Sequence, residues 1–535
     1  MKVALIVSPY PLEESPAPPL GLCYAAAAFE AAGAEVCILD YLVRQYTPEK
    51  LFAELSRFQP DIVGTNSVTL NFYQAAAILK TVKQLFPDVI TVMGGPHVSF
   101  DYQNTLKQYP EIDLIVVGEG EETIREVVQS NCDRRQWAAI KGIAYLQESE
   151  PWFTGKRDFI QDLDSLPLPA RHLIPLSRYQ ALGFPVSIIT SRGCPNQCIF
   201  CQGRRMVGAK VRYRSISKMF DEIESILDYG FNRLNIADDF FTSNRDRVMA
   251  FCEEIHKRNL HFGWSAFARA DSVNQEILKT MLDAGCDSVL FGIESGNQEM
   301  LDRIRKRVKL NRIREAVADC RAVGMRVLGT FIVGLPGETQ ETLMDSHRFA
   351  QELGIEYGYH FLAPFPGTTV KENIQDYDLQ LLTEDWSCFD ANRAIVKTSQ
   401  LSAEDIERFV HDYYFSHVQA EEEEALKRCQ QGQGTEMELL LYIGKQKNEI
   451  VHQLFSRDLI ESHAIFPFSD DNGQSLHQLT DMIATQLNKE IQIVEPIIRQ
   501  IIRSGYLTSK TADGVIKWHW THNNKMEQPP IILKN

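Results

Sequence analysis

Over about the first 130 residues, short apolar runs alternate with longer amphipathic stretches. The runs at 3–8, 35–40, 61–65, 89–93 and 113–117 read as strands. The stretches at 21–32, 48–58, 72–86 and from Glu122 onward read as helices. Strands and helices in strict alternation predict a doubly wound, flavodoxin-like parallel sheet over residues 1–149. Residues 150–183 break the rhythm with Leu166-Pro-Leu-Pro-Ala-Arg and read as a linker.

From 184 the alternation resumes for six units. Strands are expected at 186–190, 233–237, 261–267, 287–293, 326–333 and 355–361. Helices fall between them at 217–229, 245–258, 274–284, 311–323 and 340–353. Several stop at a glycine (Gly230, Gly285, Gly324, Gly354), as C-terminal caps do. The pattern predicts a (β/α)6 partial barrel over 184–375, with its site at the carboxyl ends of the strands. Residues 376–535 read as mostly helical. The Glu421–Glu424 run there is a solvated face. Two amphipathic helices, the Asp513-Gly514 turn and a closing strand suggest a winged helix at 475–520, with few basic residues on its second helix. A packing or protein-contact role is therefore expected of it, not DNA binding.

Composition narrows the function. With 535 residues, the chain has room for about three domains of ~150 residues. A net charge of −16 argues against a nucleic-acid partner, since phosphate binding needs clustered Lys and Arg. The opening Met1-Lys-Val-Ala-Leu-Ile-Val is too short an apolar run for a signal peptide. No run reaches the ~18 consecutive apolar residues of a membrane span. Eight of the eleven cysteines are scattered singly, which reads as reduced, cytoplasmic usage.

The remaining three are Cys194, Cys198 and Cys201, in a C-x3-C-x2-C spacing on a Gly/Pro-containing loop after the first barrel strand. Three such thiolates can hold three irons of a [4Fe–4S] cube and leave the fourth open to a ligand. A zinc site lacking one ligand, or three unrelated thiols, is the simpler alternative. The strand ends of the N-terminal sheet carry Ser67-Val68-Thr69, Gly94-Gly95-Pro96-His97 and Gly118-Glu119-Gly120. Glycines there allow close backbone approach, and hydroxyls supply short hydrogen bonds.

The three-cysteine spacing, with Phe200 before the last thiol, resembles the radical S-adenosylmethionine (SAM) family. The N-terminal strand ends resemble a cobalamin-binding domain, in which a Ser/Thr loop and a later Gly-Gly house the nucleotide tail. Together they place the chain near the cobalamin-dependent radical SAM group. The resemblance implies three cofactors: a [4Fe–4S] cluster on Cys194, Cys198 and Cys201, SAM, and cobalamin. For SAM it implies contacts from Phe200, Asp238, Asp239, Arg269, Glu294, Ser295, Ile332 and Gly334. For cobalamin it implies Ser67, Val68, Thr69, Gly94, Gly95, Pro96, His97, Gly118, Glu119 and Gly120. The family's usual Asp-x-His-x-x-Gly after the first strand is absent; the loop reads Ser8-Pro-Tyr-Pro-Leu-Glu-Glu-Ser-Pro. A cobalt without a protein lower ligand is therefore expected, with His97 as a hydrogen-bonding loop residue.

The implied activity is reductive cleavage of SAM and modification of an unactivated carbon of a small molecule, by C-methylation. The alternative is a cyclisation or rearrangement like that of the anaerobic magnesium-protoporphyrin ester cyclase. A methylthiotransferase fits poorly, since Cys23, Cys37 and Cys132 lack the spacing of a second cluster. A non-enzymatic cobalamin sensor would leave the cysteine loop, Arg269 and Glu294 unexplained. Expected partners are the substrate and an electron donor such as flavodoxin or ferredoxin. No catalytic acid or base is identifiable.

Overall fold

The structure is a computed structural model that describes residues 1–9, 17–468 and 472–522. Most of the loop after the first strand, residues 10–16, therefore lies outside the described residues.

The N-terminal region alternates β1 (Lys2–Val7), α1 (Leu20–Ala31), β2 (Glu35–Asp40), α2 (Pro48–Phe58), β3 (Ile62–Asn66), α3 (Phe72–Leu85), β4 (Ile90–Gly94), α4 (Pro96–Gln108), β5 (Leu114–Val116) and α5 (Glu121–Gln129). A hairpin, β6 (Ile143–Gln147) and β7 (Glu150–Phe153), follows. The seven strands lie in the order β2-β1-β3-β4-β5-β6-β7. The first five are parallel, and β6 and β7 extend the edge antiparallel. The period of two sends Leu5, Val92 and Val116 to the face covered by α1 and α5. It sends Ile6, Val63, Met93 and Ile115 to the face covered by α2, α3 and α4. The order reverses between β1 and β3, where doubly wound sheets bind ligands.

Two expectations need correction here. Pro96-His97 is not a loop; it opens α4, with proline in the first turn, where its missing N–H costs nothing. The expected boundary at 149/150 falls inside the β6–β7 turn, so the start of the supposed linker is a sheet strand.

A short helix, α6 (Leu176–Leu182), leads to β8 (Val186–Ile188). A two-residue ribbon, β9 (Ser191–Arg192) with β10 (Arg212–Tyr213), brackets the cysteine loop and α7 (Gly203–Val207). The barrel continues through α8 (Ile216–Asp228), β11 (Arg233–Ile236), α9 (Arg245–Lys257), β12 (Gly263–Ala268), α10 (Gln275–Asp283), β13 (Cys286–Glu294), α11 (Gln298–Arg303), α12 (Leu310–Val323), β14 (Arg326–Val333), α13 (Gln340–Leu353) and β15 (Glu356–Phe361). Its six strands are all parallel and run in sequence order from β8 to β15. The helices α12 and α13 end on Gly324 and Gly354 in left-handed conformation, as their positions suggested.

Beyond the barrel come α14 (Thr369–Glu372), a small ribbon of β16 (Gln380–Leu381) and β17 (Val396–Lys397), and the helices α15 (Ala403–Val410), α16 (Ser416–Gln430) and α17 (Glu436–Ser456). The chain closes with α18 (Leu459–His463), β18 (Ile465–Pro467), α19 (Asn472–Leu487), α20 (Ile491–Arg503), β19 (Leu507–Ala512) and β20 (Val515–Trp520). Helix, strand, two helices and a hairpin with sheet order β18-β20-β19 have the element order of a winged helix, beginning ahead of the expected residue 475. It packs on α6 and the N-terminal sheet: Arg178 lies over the rings of Phe455 and Trp520, and Asp458 accepts from the backbone N–H of Gln45 at 2.9 Å. Among the described residues no helix is long and apolar enough to cross a membrane.

Candidate active site

The cysteine loop is shaped before any ligand arrives. Gly193 sits at φ 112°, and a Cβ there would lie 2.3 Å from the Lys210 carbonyl oxygen, so only glycine lets the loop cross its own exit. The Cys194 N–H donates to the Gly208 carbonyl at 3.1 Å, and the Cys201 N–H to the Cys198 carbonyl at 3.3 Å. Between the cysteines, Ile199 donates to the Ile304 carbonyl and accepts from the Val370 N–H, tying the loop to the barrel's far side.

The three thiols line one cavity of about 240 Å³. Among the described residues no three His, Cys, Asp or Glu side chains are placed to hold a single metal ion. Three thiols on one cavity wall match a [4Fe–4S] cube with one iron left open. Burial pushes the Cys201 thiol up to about 11 and the Cys198 thiol up as well. Asn196 Nδ2 and the Gly203 N–H point at the sulfurs of Cys194 and Cys201 at 3.4 and 3.3 Å. Such donors tune a cluster's potential.

A second cavity of about 510 Å³ opens at the carboxyl ends of the strands. Asp239, Phe240, Arg269 and Glu294 line it, together with Lys306, Thr330 and His360, which the sequence reading missed. Lys306 Nζ donates to Glu294 Oε1 at 2.7 Å, and both side chains are buried. Arg269 is held by a two-pronged pair with Asp271 at 2.9 Å and donates to the Lys306 carbonyl. Glu294 has a left-handed backbone, φ 68°, where the register of β13 against β14 shifts. Such a backbone is uncommon for a non-glycine residue. Gly292 makes room for it: a Cβ there would stand 2.4 Å from Glu294 Oε1.

Other expected contacts turn away from this cavity. Asp238 is buried and accepts from the Thr190 N–H at 2.6 Å and from the hydroxyls of Thr190 and Ser191 at 2.5 and 2.6 Å. It anchors the entry to the cysteine loop and does not line the cavity. Ser295 Oγ is buried against Ser346 Oγ at 3.2 Å, fastening the strand end to α13. Gly334 gives its N–H to the buried Glu338 carboxylate at 2.6 Å. Phe200 and Ile332 are half-buried and pack on the core.

The N-terminal sheet holds a slot of about 350 Å³ between its strands and α1 and α5, at the β1/β3 switch point. Its depth is apolar, with Leu5, Val92, Val116, Phe29 and Ile124; its mouth carries Gly94, Gly95, Pro96, Gly118 and Gly120. Gly64 keeps the slot open, since a Cβ there would meet Leu5 Cδ2 at 2.8 Å. A Cβ on Gly95, at φ 105°, would lie 2.4 Å from the Ser67 carbonyl oxygen. Glu121 Oε2 in the slot, and Ser67 Oγ beside Gly95, are buried without a hydrogen-bond partner among the described residues. A deep apolar slot with glycines and unpaired polar atoms suits the nucleotide tail of cobalamin.

Three further N-terminal residues have defined surroundings. Glu119 lines the slot, but Arg212 grips its carboxylate at 2.7 and 2.9 Å, and Arg192 approaches at 3.3 Å. It clamps the sheet to the barrel, and Glu121 does the same through Arg192 at 2.5 Å. His97 is buried between Phe72 and Trp386, with Nδ1 3.3 Å from Thr69 Oγ1. Val68 is exposed, its N–H bonded to Asn71.

A flavodoxin-like slot facing a three-thiol barrel rim defines an enzyme built around two cofactor sites. Residues 14–128 match the B12 binding domain and residues 188–350 the radical SAM superfamily. An uncharacterised methyltransferase of Pyrococcus horikoshii is 34% identical over 75% of this chain and 87% of that protein. The anaerobic magnesium-protoporphyrin IX monomethyl ester cyclase of Cereibacter sphaeroides is 31% identical over 72% of this chain and 64% of the cyclase. The cobalamin-dependent radical SAM enzyme OxsB, solved with aqua-cobalamin and SAM, shares the fold at TM-score 0.69 and 19% identity, covering 94% of this chain and 80% of that one. The chain belongs to the cobalamin-dependent radical SAM enzymes. Its cofactors are the [4Fe–4S] cluster, SAM and cobalamin.

Proposed function

We propose that this enzyme C-methylates an unactivated carbon of a small molecule held between the slot and the barrel. The observation that carries this reading is Asp239, which lines both cavities and so marks where they meet. When bound, the cluster and SAM supply hydrogen-atom abstraction and cobalamin supplies the methyl group.

The chain's own residues hold and orient. Cys194, Cys198 and Cys201 would ligate iron, and Arg269 with Lys306 would meet the carboxylate of SAM by charge-assisted hydrogen bonds. Glu294, fixed by Lys306, faces the same cavity as an acceptor for hydroxyl groups. Gly94, Gly95, Gly118 and Gly120 would admit the cobalamin tail, with Ser67 and Glu121 as its polar contacts. Asp238, Ser295 and Glu119 act as positioning residues. The reading divides the chain into a cobalamin-binding unit that includes the β6–β7 hairpin, a short connector with α6, the barrel and a helical C-terminal unit. A cytoplasmic setting and a flavodoxin or ferredoxin electron donor complete it.

The test is iron and cobalt content of anaerobically purified protein, followed by products of SAM turnover. Iron, cobalt and a product heavier by one methylene support the proposal. Both metals with an isomerised or cyclised product of no added carbon would replace it with the cyclase-like reading.

A further inference from the structure

The sequence Arg303-Ile-Arg-Lys-Arg-Val-Lys309 places five cations within seven residues of an otherwise acidic chain. It closes α11 and continues as a turn and loop, with Arg305 and Arg307 in left-handed conformation at φ 57° and 56°. Ile304, Lys306 and Val308 are buried, while Arg303, Arg305, Arg307 and Lys309 are exposed. Inward, Lys306 reaches Glu294 in the barrel cavity. Outward, Arg305 lines the thiol cavity beside Arg204 and Arg205, and Arg307 donates to Gln197 of the cysteine loop at 3.2 Å. The Ile304 carbonyl accepts from the Ile199 N–H, between the second and third cysteines, at 3.1 Å. The loop thus contributes Lys306 to the barrel cavity and Arg305 to the thiol cavity.

The outward charge is largely unneutralised. Lys309 is matched by Asp302 and Arg205 by Glu372. Among the described residues, Arg204, Arg303, Arg305 and Arg307 have no carboxylate within salt-bridge reach; their hydrogen bonds go to backbone carbonyls, to Gln197 and to the Met300 sulfur. Exposed cations in an acidic chain ordinarily find carboxylates, so a cluster without them at the mouth of a redox site points to an acidic visitor. An anionic substrate is the weaker fit, because the barrel cavity meets it with Lys306 and Arg269.

We propose that the outward face of loop 303–309, with Arg204 and Arg205, docks a small acidic one-electron carrier protein. This rests on the functional reading above, in which the thiol site is a cluster that must be reduced. Each visit transfers one electron from the carrier, which leaves oxidised by one electron; no bond forms or breaks.

The test uses the holoenzyme and the R307E/K309E variant, both residues lying outside the thiol cavity. Two quantities are measured: affinity for an acidic flavodoxin across ionic strength, and SAM cleavage driven either by reduced flavodoxin or by dithionite. The expected result is an affinity about tenfold weaker at low salt, converging with the parent near ~1 M salt, where charges are screened beyond ~3 Å. Flavodoxin-driven cleavage should fall in step, with dithionite-driven cleavage and iron content unchanged. Equal affinity and equal salt dependence in both proteins would overturn the proposal. So would an equal loss with dithionite, or a loss confined to affinity for an anionic substrate. If the charge reversal lowers iron content, R307A/K309A replaces it, with a smaller affinity loss expected. Parent enzyme that cannot cleave SAM with dithionite would sink the functional reading instead.

Discussion

The slot in the N-terminal sheet and the rim of the barrel meet at one residue but are built on different physical terms. The slot selects by shape: apolar walls, missing Cβ atoms and almost no charge in its depth. The rim selects by charge: Arg269, Lys306 and Glu294 are locked to one another or to neighbours before a ligand arrives. A shape-selecting site fails when bulk is added, and a charge-selecting site fails when charge is removed. One chain therefore offers two kinds of lesion whose effects stay on their own side of Asp239.

The largest effect is expected from replacing Cys194, Cys198 and Cys201 together by alanine. Iron and SAM cleavage should be lost entirely while cobalt is retained, because the slot uses none of those thiols. Loss of cobalt along with iron would break the comparison at its root. Next comes Gly64→Val, which drives side-chain bulk into Leu5 and the slot. Overpacking costs about 1–3 kcal/mol, so cobalamin affinity should fall about 10- to 100-fold by absorbance titration, with iron unchanged. Third is Lys306→Met, which keeps the side chain's length but leaves the Glu294 carboxylate buried without its cation. SAM affinity should weaken about tenfold, the scale of one charge-assisted hydrogen bond, while cobalamin affinity holds. A Lys306→Met enzyme that binds SAM like the parent would show that the rim does not work through charge.

These lesions also mark how far the sequence could be read. The barrel strands were legible nearly to the residue, because apolar runs, amphipathic helices and capping glycines such as Gly324 and Gly354 agree. Helix α4 was not, since Pro96–Gln108 is mostly polar and starts with a proline that reads equally as a loop. The β6–β7 hairpin turns on Glu148 and Ser149, both at positive φ without the glycine that normally announces such a turn. Within the site, Arg269 and Glu294 at their strand ends line one cavity. Position alone could not tell which way Asp238, Ser295 or Glu119 would face, and each is tied to protein. Lys306 sits twelve residues beyond Glu294, on a loop that belongs to no strand end. The basic run around it, in an acidic chain, was the available signal.

The smallest predicted effect separates the two regions by the sign of their response to pH. Burial lowers His97, on the N-terminal rim, from an ordinary 6.5 to about 4. Between those values the unfolded chain binds a proton that the folded one refuses, so stability there is lost as pH falls. Burial raises Glu338, beneath the barrel's strand-end loop, from an ordinary 4.5 to about 8, even though the Gly334 and Leu335 N–H groups favour its charge. Here the folded chain keeps a proton that the unfolded one releases, so stability is lost as pH rises through that window. Each fully developed difference has a slope of about 1.4 kcal/mol per pH unit, with opposite signs. Hydrogen exchange should resolve them: peptides from β4 and α4 should lose protection toward acid, and those from β14 and α13 toward base. His97→Gln should flatten only the first trend. Glu338→Gln, which still offers an acceptor oxygen to Gly334 and Leu335, should flatten only the second. Parallel shifts in both sets would mean that the two rims open as one cooperative unit, and the division between shape and charge would then describe their ligands but not their stability.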